Sequence, residues 1–207
     1  MLAIEKHCLA LLESSIATDA AHDKAHILRV VKTAKHLCNI EQADPSIVIP
    51  AAWLHDCITV PKNHPDRSKS SVMAADHALT LLAEWQYPEQ YYSAIHHAIA
   101  THSFSANIPP ETLEAKIVQD ADRLDALGAI GVSRCLQISG VLGSALYNDD
   151  DPFCEQRTPN DKVFTVDHFY TKLFRIAETL HTQAAKDEAQ QRVAFMRDYL
   201  IQLQREI

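Results

Sequence analysis

Apolar residues recur at three- and four-residue steps along most of the chain, the spacing that turns one helix face toward a core. The clearest run lies near Lys24–Cys38, where Ile27, Val30, Val31, Ala34, Leu37 and Cys38 share a face. A first amphipathic helix is predicted over about Leu2–Ile16. A third begins at Asp44-Pro45, a capping residue followed by a first-turn proline, and runs to about His55. Pro50 falls inside it, which predicts a kink or a later start. Further helices are expected near Ser68–Trp85, Pro88–Thr101, Thr112–Leu127, Ala129–Ile138, Asp167–Leu180 and Gln183–Arg205. Ile58–Asp66 is rich in turn residues and reads as a loop. Ser139–Thr165, with its glycines, NDDDP and TPND, exceeds the usual connection length. It is expected to be a functional lid or a loop packed on the surface.

The four glycines, at 128, 131, 140 and 143, fall in one short segment. A sheet protein would spread them through its turns. The expected class is therefore all-α. No repeat, low-complexity tract or domain linker interrupts the 207 residues, so they read as one domain.

Composition narrows the function. At 47% hydrophobic residues the chain has enough apolar surface for a packed core. No apolar run approaches the ~18 residues of a membrane span, and the N-terminal segment lacks a signal-peptide cleavage site. The five cysteines, at 8, 38, 57, 135 and 154, form no CxxC pair. Reduced thiols in a cytoplasmic protein are the simple reading. A net charge of −8 argues against general nucleic-acid binding but not against a small anionic substrate met by local Lys and Arg. Of the 12 histidines, nine lie between His22 and His102, a concentration that hints at a metal site.

Three segments carry candidate chemistry. His55-Asp56 ends the apolar run IVIPAAWL, where an imidazole and a carboxylate must be paired, solvated or metal-bound. His26 sits in the first turn of an amphipathic helix. Asp120, Asp122 and Asp125 interrupt an otherwise apolar helix, which is costly unless a cation compensates.

The ordered pattern of His26, then His55-Asp56, then Asp122 in an Ala-Asp-x-Leu context resembles the HD superfamily of metal-dependent phosphohydrolases. AHDKAHILRV, LHD, KNHPDRSKSS, HAIATHSFSA, EAKIVQDADRLDALGAIG and VDHFYTKL extend the likeness to small stand-alone bacterial HD proteins over nearly the whole chain. The resemblance implies a single-domain HD-type helical bundle. Its metal-binding core would span about 22–126, with C-terminal helices 166–206 packing on it. It implies a divalent ion held by His26, His55, Asp56 and Asp122. Such a mixed N/O set suits Mn, Fe, Co, Ni or Zn and, less well, Mg. Two carboxylates balance the ion, so phosphate needs further cations. Lys62 and Arg67 are the leading candidates, with Arg123 behind them.

His97 and His102 are expected to bind a second metal, contact phosphate or serve as general acid. Asp120 and Asp125 are candidates for orienting a histidine, and Asp125 alternatively for pairing with Arg123 or Arg29. His22-Asp23 reads as a cap or supporting pair, His96 as a surface residue and Trp53 as core. Phe104 and Tyr147 are the better candidates for stacking on a base. The absence of a His-His-Glu pattern argues against cyclic dinucleotides. Cys57, Ile58 and Thr59 stand where (p)ppGpp hydrolases carry an acidic pair. The expected activity is hydrolysis of a small phosphorylated metabolite, nucleotides leading, by pyrophosphohydrolase or phosphomonoesterase chemistry. Lys62, His64 and Arg67 tilt this toward a triphosphate. The alternatives are a non-catalytic nucleotide-sensing or partner-binding domain and, further off, a di-iron oxygenase. The last two helices are candidates for a homo-oligomer contact.

Overall fold

A computed structural model describes residues 3–14, 24–58, 60, 67–103 and 106–207. Among them the secondary structure is helical, with one isolated parallel bridge between Ala145 and Phe164 and no sheet, so the all-α expectation holds. The helices are α1 (Ala3–Ser14), α2 (Lys24–Ile40), α3 (Pro45–Leu54), α4 (Ser70–Glu84), α5 (Tyr92–His102), α6 (Leu113–Leu124), α7 (Gly128–Leu142), α8 (Phe174–Glu178) and α9 (Gln183–Glu206). None is long and apolar enough to cross a membrane. The chain forms two compact units, residues 1–122 and 123–207.

In the first unit α3 is the central element, packing against α1, α2 and α5, while α4 lies on α5. Asp44 caps α3 by accepting from the Ser46 N–H at 2.8 Å, and Pro45 fills the first turn, where its missing N–H costs nothing. The helix runs unbroken through Pro50. That proline cannot donate to the carbonyl one turn back, Ser46 O, and the Tyr87 hydroxyl donates to it instead at 2.8 Å. Val48, Ala51, Ala52 and Leu54 of α3 are buried with Val30, Ala34 and Leu37 of α2 and with Ile95, Ala98 and Ile99 of α5. Ala74, Ala75 and Ala78 give α4 a small-residue face. The core therefore fixes α2, α3 and α5 with their apolar faces inward, and with them the polar residues at their ends. Trp53 is core as expected, its indole N–H donating to Glu5 at 3.2 Å.

In the second unit α9 packs on α7 and α8. Phe169, Leu173, Ile176, Met196 and Leu200 are buried there. Helix α7 runs past the expected Ile138 to Leu142 and stops at Gly143, whose φ of +70° closes the turn with bonds to the Gly140 and Ser139 carbonyls. The segment after it is tied down. Asp151 accepts three backbone N–H bonds, from Glu155, Gln156 and Arg157. Arg157 makes a two-pronged bond to the fully buried Asp167 at 2.5 and 2.6 Å. Of the two expectations for this stretch, a packed loop is what these bonds describe.

Candidate metal centre

Four polar segments of the first unit meet at one point, each at the end of a helix. His26 occupies the first turn of α2, His55 and Asp56 follow α3, His102 is the last residue of α5, and Asp122 lies in the last turn of α6. His55 is fully buried and His26 and His102 nearly so. The carboxylates of Asp56 and Asp122 keep 14% and 26% of their surface exposed, so the cluster opens to solvent on their side.

His26 Nε2 lies 3.4 Å from His55 Nε2, 3.4 Å from Asp122 Oδ1 and 3.9 Å from Asp56 Oδ2. His55 Nε2 lies 3.7 Å from Asp56 Oδ2 and 3.9 Å from Asp122 Oδ1. A divalent ion about 2.1 Å from each donor would set neighbouring donors about 3.0–3.4 Å apart and opposite ones about 4.2 Å apart. The observed spacings, 3.4–3.9 Å, lie between those two limits. His26, His55 and Asp56 alone offer three ligand atoms within 4.8 Å of one another.

The chemistry of the donors also fits a cation. His55 Nδ1 donates to the Ala52 carbonyl at 2.8 Å, so its Nε2 presents a lone pair to the cluster. Burial holds the His55 imidazole below its usual value, outweighing the pull of Asp56, and the ring stays neutral. Asp122 moves the opposite way. Burial alone would raise its carboxyl, but the bond to His26 and the surrounding imidazoles hold it well below the usual range. The buried His55 lone pair and the carboxylate oxygens thus face one another, and α3 and α5 add the partial negative charge of their C-terminal ends. His26, His55 and Asp56 are able to hold a metal ion.

His102 joins the cluster from the other side of Asp56. Its Nε2 lies 3.6 Å from Asp56 Oδ1, its Nδ1 donates to the Ile99 carbonyl at 2.7 Å, and its ring meets His55 edge-on at 4.9 Å. His97 does not join. Five residues earlier on α5, it is turned about 140° around the helix from His102. Its Nε2 accepts the Glu111 backbone N–H at 3.0 Å. Cys57, next to Asp56, donates its thiol to the Ala74 carbonyl at 3.3 Å, and burial and then the Asp56 charge push that thiol up to about 12.

The expected phosphate cations fare unequally. Lys62 and His64 lie outside the described residues, as does the Arg67 side chain, and so do His22, Asp23 and Phe104. Arg123 donates to the Thr179 carbonyl at 2.7 Å. Asp125 is buried and pairs with Arg134 at 2.5 Å. His96 is half-buried and bonded to Asp76 at 2.9 Å. Asp120 is fully buried. Gln119 passed unremarked in the sequence, yet it is buried and its amide donates to the Thr101 carbonyl at 2.6 Å. An amide among Ile117, Val118 and Ala121 was the available signal.

Known proteins resemble this chain over most of its length. Residues 24–127 match the HD domain family. The chain is 33% identical over 199 residues to the Bacillus subtilis protein YpgQ, covering 93% of this chain and 89% of that one. The crystal structure of B. subtilis YpgQ in complex with ADP superposes with a TM-score of 0.73 at 30% identity, covering 100% of this chain and 97% of YpgQ. An HD-superfamily hydrolase from Bacillus thuringiensis gives a TM-score of 0.75 at 32% identity, covering 98% and 95% of the two chains.

Proposed function

The chain belongs to the HD-domain family, within the HD superfamily of hydrolases, and from that footing we propose that it is a divalent-metal-dependent phosphohydrolase of a small phosphorylated metabolite, with a nucleotide as substrate. The observation that carries the proposal is the meeting of His26, His55, Asp56 and Asp122, with donor atoms 3.4–3.9 Å apart and two neighbouring helix C-termini. A divalent cation in this site, manganese being our choice, supplies Lewis acidity toward a phosphoryl oxygen and lowers the pKa of water.

The protein's own groups do the holding and orienting. The Ala52 carbonyl fixes the His55 tautomer so that Nε2 faces inward. Asp56 divides its carboxylate, Oδ2 toward the two metal-facing imidazoles and Oδ1 toward His102. His102, with Nδ1 committed to the Ile99 carbonyl, keeps Asp56 in that orientation. The exposed edges of Asp56 and Asp122 mark the side from which substrate approaches. Lys62 and Arg67, from the segment after the His-Asp pair, are assigned to the phosphate chain. Their spacing with His64 supports an extended polyphosphate and therefore a nucleoside triphosphate cleaved to release pyrophosphate. The ADP complex of the similar YpgQ supports a nucleotide over other phosphorylated metabolites.

The test is a screen of phosphorylated metabolites with Mn, Mg, Co and Ni, reading phosphate and pyrophosphate separately. Pyrophosphate release from nucleoside triphosphates upholds the proposal. Phosphate release from monoesters redirects it to phosphomonoesterase chemistry, and no turnover with any metal removes it.

A further inference from the structure

The last turn of α5 is fastened by side chains from two other helices. Ser71 of α4 donates from Oγ to the Ala100 carbonyl at 2.8 Å, and Gln119 of α6 donates from Nε2 to the Thr101 carbonyl at 2.6 Å. Carbonyls at a helix C-terminus lack partners within the helix and must find them elsewhere when buried. Both donors are only 2% exposed. Next along the chain comes His102, whose Nδ1 takes the Ile99 carbonyl. The turn that presents His102 to Asp56 is thus held from outside as well as within.

Gln119 is unusual for where it stands. Its neighbours Ile117, Val118 and Ala121 are fully buried and apolar, and filling space alone would be served better by another aliphatic side chain. One helical turn later on the same side comes Asp122, about 4.5 Å further along the axis. One helix therefore carries both a fixed bond to the backbone beside His102 and a carboxylate facing His26.

We propose that Gln119 is a positioning residue for the metal centre: its bond to the Thr101 carbonyl locks α6 against the end of α5 and so sets where the Asp122 carboxylate stands. The proposal rests on the metal reading given above and deepens it. Asp122 is the ligand that needs the help, being the most exposed of the four and so the least walled in by packing. Without the amide, apolar contacts still bury α6 but do not fix its register. The Asp122 carboxylate is then free to drift from the other donors.

The experiment is a titration of Co2+ into metal-stripped protein, read by visible absorption, for wild type, Q119M, D122A and the double variant. Methionine matches the bulk of glutamine and lacks the donor. Q119M is expected to weaken Co2+ binding about 10- to 100-fold and to alter the absorption band. In the D122A background the same substitution is expected to cost nothing further, because the group it positions is gone. I117A is the control, since it loosens the same helix without touching Thr101. It is expected to lower the melting temperature while leaving the Co2+ affinity within about twofold. Should Q119M fail to fold, Q119N, whose amide is one methylene short of Thr101, replaces it with the same expectations. Equal affinity in wild type and variant, or a full further loss in the D122A background, overturns the positioning role. Wild-type protein that takes up no Co2+ overturns the metal reading itself, which keeps the two failures apart.

Discussion

Asp122 Oδ1 stands 3.4 Å from His26 Nε2, although α3, α4 and α5 lie between the two in sequence. The contact joins the first turn of one helix to the last turn of another, and in the proposed centre both groups face the same ion. Metal should therefore stabilise the folded chain through this pair. At a Mn2+ concentration of about 100 times Kd the gain is about 2.7 kcal/mol, visible as a rise in melting temperature. A chelator is expected to reverse the rise and D122N to abolish it. An equal rise in D122N would show that the ion binds elsewhere.

Asp56 is the residue whose loss should separate catalysis from binding. D56A removes the carboxylate that stands between the His26 and His55 imidazoles and His102, while the partly exposed position tolerates alanine. Phosphate or pyrophosphate release is expected to fall at least ~1,000-fold, a barrier increase of about 4 kcal/mol. Equilibrium dialysis with ADP then distinguishes the readings. A nucleotide-sensing domain without catalysis would show no turnover even in the wild type, yet still bind the nucleotide.

Gly131 offers a test of the second unit that involves no metal. A Cβ there would sit 2.2 Å from the Ala126 carbonyl oxygen, a backbone atom that cannot swing aside. G131A is expected to destabilise the protein by about 1–3 kcal/mol in urea unfolding. An unchanged midpoint would mean that α7 begins differently from the geometry described.

The loop after α7 should respond to acid. Backbone N–H bonds from Gln156 and Glu155 hold the Asp151 carboxyl low. Asp161 and Asp167 are held low as well, since their bonds to His168 and Thr171, and to Arg157 and Asn160, outweigh burial. For all three the folded value lies below the ordinary 3.8. As the pH falls below about that value, the unfolded segment binds more protons than the folded one. The stabilisation is present above 3.8 and is lost as the pH falls through the depressed values. Hydrogen-exchange protection factors at residues 151–168, which remove the intrinsic slowing of exchange in acid, are expected to drop selectively below pH ~3.8. Protection factors that rise on acidification would reverse the sign and refute the assignment.

Much of this was legible because periodicity and caps are local. The apolar face of α2, the Asp44-Pro45 start of α3 and the clustering of histidines all lie within a few residues of the features they predict. Less visible was what depends on distant partners. The unbroken run through Pro50 needs the Tyr87 hydroxyl, which no local pattern announces. Asp125 pairs with Arg134 of the next helix, a partner that no local pattern singles out. Of the two histidines put forward together, His102 reaches Asp56 and His97 turns to the Glu111 backbone, a difference that the α5 rotation decides. Gln119 went unseen because a buried amide in an apolar helix gains meaning only once its acceptor is known.

The most direct test follows the free Mn2+ signal by electron paramagnetic resonance as the ion is titrated into metal-stripped wild type and H55A. The account predicts that wild type removes Mn2+ from solution with saturable affinity and that H55A, lacking the fully buried imidazole at the middle of the cluster, weakens it by two orders of magnitude or more. Indistinguishable titrations of the two proteins would contradict it.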